Sequence, residues 1–276
     1  MELTLPVAAA VLGAALLHAA WNTLVKASGD KELETYAVAA GSGLLALIVI
    51  PALPAPAPAS WPWLAGSAAV HILYFMFLAG AYRYGELSYV YPVMRGGGPM
   101  IVAASGAAVF AETLGGGQWL GVLLVCGGIV AFASGAHDRR ATLFALGNAA
   151  VIGAYTLIDA QGARASAAPL SYTLWFFAAN ALVIIAMGML KRGVAVPRHL
   201  ARHWGRALLG GAFSIGSYAI ALWAMTRAPV ALVAVLRETS VIFGAVLAAL
   251  VLREKLTRRR LVATGAVLAG LVLLKI

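Results

Sequence analysis

Ten apolar stretches of about twenty residues follow one another along this 276-residue chain with almost nothing between them. They run over 4–25, 33–53, 62–82, 88–110, 117–134, 141–162, 170–190, 206–226, 229–252 and 257–276. A helix needs about 20 apolar residues to cross a bilayer core, so each stretch is a membrane-span candidate. Composition agrees, because 62% of residues are hydrophobic and 11% charged, against about 45–50% and about 25% in soluble domains. Soluble folds and disorder are therefore excluded, and a lone cysteine, Cys126, excludes a disulfide scaffold. A membrane β-barrel would alternate polar and apolar residues, and no such alternation is visible. The first stretch lacks a basic leader in Met1-Glu2-Leu3-Thr4. It also outruns the roughly 7–15 apolar residues of a signal peptide, so it reads as a mature helix.

The charges are few and placed unevenly. Fifteen of the 20 Lys and Arg residues lie in the odd-numbered loops, many of them between Lys191 and Arg206. Only Arg164, Arg227 and Lys275 lie in the even-numbered loops and the C-terminal end. The positive-inside bias places the odd loops in the cytoplasm and both termini outside. Retention near anionic headgroups accounts for the basic 191–206 segment better than a nucleic-acid partner does. Two arginines remain, Arg95 and Arg237, and both fall inside spans.

Those two arginines are related by an internal repeat. At a constant offset of 142, Val93-Met94-Arg95 falls on Val235-Leu236-Arg237, Ala111-Glu112-Thr113-Leu114 on Arg253-Glu254-Lys255-Leu256, and Gly128 on Gly270. Ala20-Trp21-Asn22-Thr23 matches Ala154-Tyr155-Thr156-Leu157 at a slightly different offset. The expected fold is all-α integral membrane, with ten transmembrane helices as two inverted five-helix repeats, 1–138 and 139–276. An odd number of spans per half inserts the two copies in opposite directions, a pattern that marks secondary transporters with a midplane substrate site.

With five plus five helices and a Glu-x-Leu closing the fourth and ninth spans, the chain resembles the EamA branch of the drug/metabolite transporter superfamily. Leu17-His18-Ala19-Ala20-Trp21-Asn22 and Tyr89-Val90-Tyr91-Pro92-Val93-Met94-Arg95 are similar to a bacterial subgroup associated with phosphonate utilisation. The resemblance implies a multi-pass protein of the bacterial inner membrane that moves a small organic solute. It also implies termini in the cytoplasm, opposite to the charge count.

The intramembrane polar residues are the candidate site. An intramembrane charge costs at least about 2.5–3.5 kcal/mol and is normally paired or faces a cavity. Arg95 and Arg237 are expected to clamp an anion, since a guanidinium donates bidentate hydrogen bonds to phosphate, phosphonate or carboxylate. The structural alternative pairs Arg95 with Glu86 or Asp159, and Arg237 with helix-end carbonyls. Gly96-Gly97-Gly98-Pro99 is expected to break or distort the fourth span; close packing of a neighbour on the glycines is the alternative. The second copy, Glu238-Thr239-Ser240-Val241, has no such signal and is expected to be unbroken. Glu238 either neutralises Arg95 or a substrate amine, or carries a coupling proton. His18, Trp21 and Asn22 share one helical face, and Tyr155 with Asp159 forms its counterpart, either as cavity wall or as an interfacial belt. Tyr91 completes the pocket, and His71 with Tyr74 is a weaker candidate. Glu112 and Glu254 read as structural, each closing its helix and expected to hydrogen-bond the N-terminus of the next one.

No enzyme signature, metal cage or cofactor motif is present. His199 and His203 sit four apart, without a carboxylate between them and among basic residues, which argues against zinc. The sequence therefore implies a secondary transporter whose partners are membrane lipid and either a small-molecule substrate or a lipid phosphate headgroup, acting as a monomer or dimer. A flippase for a polyprenyl-phosphate would use the same arginines and need a lateral opening. A non-transporting assembly partner would have a solid core around Arg95. On the charge count, alkaline phosphatase fused after Ile276 is expected to be active outside the cytoplasm; a silent phosphatase fusion with a fluorescent protein that matures at the same position reverses the orientation.

Overall fold

The computed structural model describes residues 2–133, 138–251 and 258–274, and among these every regular element is a helix. The helices are α1 Leu5–Lys26, α2 Lys31–Val49, α3 Trp61–Tyr84, α4 Leu87–Phe110, α5 Gly116–Val130 and α6 Arg139–Ala165. They continue with α7 Pro169–Arg192, α8 Ala195–Arg202, α9 Trp204–Met225, α10 Val230–Arg237, α11 Ser240–Val251 and α12 Arg258–Leu273. In lipid the backbone must satisfy its own hydrogen bonds, which is why an apolar chain of this kind is helical throughout.

Eight segments are long and apolar enough to cross a membrane, the last being Val230–Val251, which joins α10 and α11. The other two of the ten expected spans are shorter. α5 has 15 residues, about 22 Å of helix against a hydrocarbon core of about 30 Å. α5 and α12 pack on each other, and a Cβ added at Gly121 or Gly270 would come within 2.8 Å of the other glycine's carbonyl oxygen. Outward-facing Leu190, Val262, Val272 and Leu250 are each more than 70% exposed, as lipid-facing side chains are.

The boundaries follow local chemistry. Proline occupies the first turn of α1, α3 and α7, where the missing N–H has no intrahelical partner to lose. Asp30 caps α2 by accepting from the Leu33 N–H at 3.0 Å, and Asp138 caps α6 by accepting from Arg140 and Ala141. That amide bond from Leu33, reinforced by Arg192, holds the Asp30 carboxyl below its usual range.

Two expectations about the arginine-bearing helices are reversed. α4 runs unbroken from Leu87 to Phe110 through both Pro92 and Pro99. The three glycines serve close packing instead: an added Cβ at Gly96 would lie 2.6 Å from the Cys126 carbonyl, at Gly97 2.8 Å from Ala149 Cβ, and at Gly98 2.5 Å from Ile152 Cγ2. The interruption lies in the second copy, where α10 ends at Arg237 and α11 starts at Ser240. There the backbone tightens into three-residue bonds, Glu238 N–H to Val235 and Thr239 N–H to Leu236, while the Thr239 hydroxyl also donates to the Leu236 carbonyl at 2.8 Å. Short polar side chains that compete for backbone groups break this helix without glycine or proline. Glu254, the repeat partner of Glu112, lies outside the described residues.

On the face carrying most of the basic residues, the segment after α7 is tied inward rather than left to the headgroups. Lys191 and Arg192 pair with Glu32, Arg192 also with Asp30, and His199 and Arg206 with the buried Glu34. His199, weighed above against zinc, thus has a carboxylate partner from α2. On the opposite face, Arg164 donates to Glu112 at 2.7 Å and to the Met225 carbonyl at 2.9 Å. The other Glu112 oxygen accepts from the Val230 N–H at 2.8 Å. Glu112 therefore closes the start of α10 rather than that of the following helix. Because Gly96 faces a backbone carbonyl that cannot rotate away, Gly96→Ala is expected to destabilise by about 1–3 kcal/mol. Gly13→Ala, with open space around it, is expected to be neutral or stabilising; melting of both variants in detergent checks this.

Candidate functional site

The helices leave a cavity of about 290 Å³ in the half of the bundle nearer the basic face. Its walls are the later turns of α1, the first half of α2, the second half of α3, the first turns of α4, the middles of α6, α7 and α9, and the end of α10. Exposed Thr35 and Tyr82 form part of its rim. The opposite half is packed with side chains, including Val7, Val11, Tyr172, Leu222, Met225 and Val233.

His18, Trp21, Asn22, Tyr91, Arg95, Tyr155 and Arg237 all line this one cavity. Helical spacing puts the first three on one face of α1, where the His18 and Trp21 rings meet edge to face at 5.3 Å. Asn22 spends its amide on its own helix, donating to the His18 carbonyl at 2.8 Å. His71 and Tyr74 also reach the cavity, and the His71 ring lies 4.3 Å from that of Tyr155 and 4.9 Å from that of Phe176. Trp21 is thus a cavity residue and Asp159 is fully buried, so neither belongs to an interfacial belt.

The two arginines differ in their partners. Arg95 lies 3.0 Å from Glu238 and donates to the Ser240 hydroxyl at 3.3 Å, and both groups come from the interruption between α10 and α11. The break in the second copy is what delivers this carboxylate, and neither Glu86 nor Asp159 is the partner. Glu238 does not line the cavity; it sits behind Arg95. Arg237 has no carboxylate within ion-pairing distance among the described residues. Its guanidinium instead sits over the Tyr218 ring, 5.2 Å from the centroid, a cation–π contact. With Arg95 neutralised by Glu238, the uncompensated charge on the cavity wall is that of Arg237.

Several lining residues were not singled out in the sequence. Ser214, Ser217 and Tyr218 on α9, with Phe176, Phe177 and Asn180 on α7, complete the wall. The α9 set carried a usable signal, since its three polar residues recur at helical spacing in an apolar span, as His18, Trp21 and Asn22 do. On α7 the amide of Asn180 in mid-span was a signal of the same kind, whereas the adjacent phenylalanines carried none, because in a span they are ordinary lipid or core residues.

Apolar helices long enough to cross a bilayer, enclosing a cavity, define the chain as a multi-pass membrane protein. The sequence model of the EamA-like transporter family matches residues 139–276, and the chain belongs to that family. No curated protein matches it. A protein of known crystal structure has the same fold, with a TM-score of 0.74 at 17% identity, over 97% of this chain and 94% of the other.

Breaking a buried ion pair strands its partner. Arg95→Ala is expected to cost about 3 kcal/mol or more by leaving Glu238 uncompensated. The Arg95→Ala/Glu238→Gln double variant is expected to recover most of that loss. Melting of the three proteins in detergent measures the coupling, and equal losses in the single and double variants would exclude it.

Proposed function

We propose that the chain is a secondary transporter moving a small anionic or zwitterionic organic metabolite across the bacterial inner membrane by alternating access. The observation that carries this reading is the uncompensated Arg237 guanidinium on the wall of a cavity shared with six other polar or aromatic candidates. A fixed cation in a low-dielectric site attracts an anion far more strongly than it would in water. The planar donor fork suits carboxylate, phosphonate or phosphate alike. Arg237 is the principal anion contact, and Arg95, which also lines the cavity, is held by Glu238. His18, Trp21, Asn22, Tyr91 and Tyr155 shape the rest of the pocket. Glu238 remains a candidate for proton coupling through its exchangeable partnership with Arg95.

Two inverted five-helix halves supply the moving parts in this reading. The packing supports it: α3 lies along α6 as α9 lies along α1, and α4 along α6 as α10 and α11 lie along α1. Those pairs are interchanged when one half is mapped on the other. The family match also spans the second half, 139–276. Rocking one half against the other would close the basic-face cavity and open its counterpart.

A thermal-shift screen of the purified protein tests the reading against organic phosphates, phosphonates, carboxylates, amino acids and a short-chain polyprenyl phosphate. Stabilisation by a water-soluble anion, lost in Arg237→Gln, is the expected result. Stabilisation by the polyprenyl phosphate alone would favour a flippase, and unchanged stabilisation in Arg237→Gln would remove the arginine from the site.

A further inference from the structure

Asp159 is the buried acid that the anion site does not use. It lies on α6, six residues before the helix end, about 9 Å from the face opposite the cavity mouth. Its side chain is fully buried. One carboxylate oxygen accepts from the Tyr172 hydroxyl of α7 at 2.9 Å, and the other from the Tyr218 hydroxyl of α9 at 2.5 Å. No arginine or lysine pairs with it among the described residues. On α3, Ser67 and His71 face it, and Tyr155 faces it from its own helix. The cations of the neighbouring elements are engaged elsewhere: Arg95 of α4 with Glu238, Arg164 of α6 with Glu112, and Arg237 of α10 with the Tyr218 ring.

Two features make this carboxylate more than a packing detail. It joins α6 to both α7 and α9 in the packed half of the bundle, so it fastens the side that must open when the cavity mouth closes. Tyr218 also has two roles: its hydroxyl tethers Asp159 while its ring, on the cavity wall, carries Arg237. A buried anion without a cation is expensive, and a proton that enters the cavity reaches it through one phenol. We propose that Asp159 is a proton-binding site whose protonation releases the α6–α7–α9 tether and opens the face opposite the present cavity, linking proton binding to anion occupancy through Tyr218 and Arg237. This rests on the transporter reading above.

The chemistry is a proton gain with no other bond change. An ionised Asp159 offers an acceptor oxygen to each tyrosine. A protonated one loses the charge that strengthens both bonds, and one tether persists only where the new O–H turns to donate to a tyrosine oxygen, so the hold on α7 and α9 weakens. Each hydrogen bond to a charged group contributes on the order of a tenfold bias. An anion bound at Arg237 draws that guanidinium off the Tyr218 ring, which changes the hold of the same tyrosine on Asp159.

Cysteine accessibility tests the proposal. Cys126 is buried, and Cys126→Ala gives a cysteine-free parent. Val233→Cys places a thiol one turn from Arg237 in the packed half, at a position that is 0% exposed. Ala55→Cys, on an exposed loop, normalises the reagent's own pH dependence. With a polar maleimide on the purified full chain, normalised labelling at residue 233 is expected to rise about tenfold between about pH 8 and about pH 5. In Asp159→Asn it is expected to be fast and flat with pH. Tyr172→Phe removes one tether and leaves the acid, so labelling near pH 8 rises while acid dependence persists; this variant carries the test if Asp159→Asn does not fold. Labelling that occurs but is indifferent to residue 159 overturns the proton site and leaves the transporter reading standing. A residue 233 that stays unlabelled in every variant and at every pH overturns alternating access, and the proposal with it.

Discussion

A guanidinium and a carboxylate meet at 3.0 Å between α4 and the interruption that separates α10 from α11. Neither is tolerable alone at that depth, because an unpaired intramembrane charge costs several kcal/mol. The pair therefore fixes where α4 meets the junction of α10 and α11. Glu238 meets Arg95 from the tightened turn at Glu238 and Thr239, and the adjacent Arg237 lines the cavity that Glu238 does not. One ion pair thus divides the two cations into a neutralised one and a free one, and the electrostatic character of the pocket follows.

The parts of the fold that depend on hydrophobic length were legible in the sequence. Eight of the ten apolar stretches coincide with segments long enough to cross a membrane, and among the described residues the other two carry the shorter helices α5 and α12. The cavity wall was legible wherever polar residues recur at helical spacing, as His18, Trp21 and Asn22 do. It was not legible at Phe176 and Phe177 of α7, which are indistinguishable from ordinary apolar packing until a neighbour is known.

The helix interruption was misplaced for a definite reason. Gly96-Gly97-Gly98-Pro99 lowers helix propensity, but propensity is a weak term beside tertiary packing. The glycines let α5 and α6 approach α4 closely, which rewards keeping the helix intact. Glu238-Thr239-Ser240 has no strong breaker, yet its side chains find backbone and guanidinium partners that a regular helix would withhold. Partner identity across a repeat is a three-dimensional fact, and the same limit hid the Glu112 contact with α10 and the Glu34 contacts with His199 and Arg206.

The two versions of the arginine-bearing helix also differ in permanence. Pro99 deletes an amide hydrogen covalently, so the Arg95 carbonyl lacks that donor in every shape the chain takes. At residues 238 and 239 nothing is deleted: every amide hydrogen is present, and the Thr239 hydroxyl merely shares the Leu236 carbonyl with its own backbone N–H. The first defect is fixed by composition, while the second is held by contacts that can be exchanged. Of the two helices, only the second is able to rewind, and it carries the free arginine.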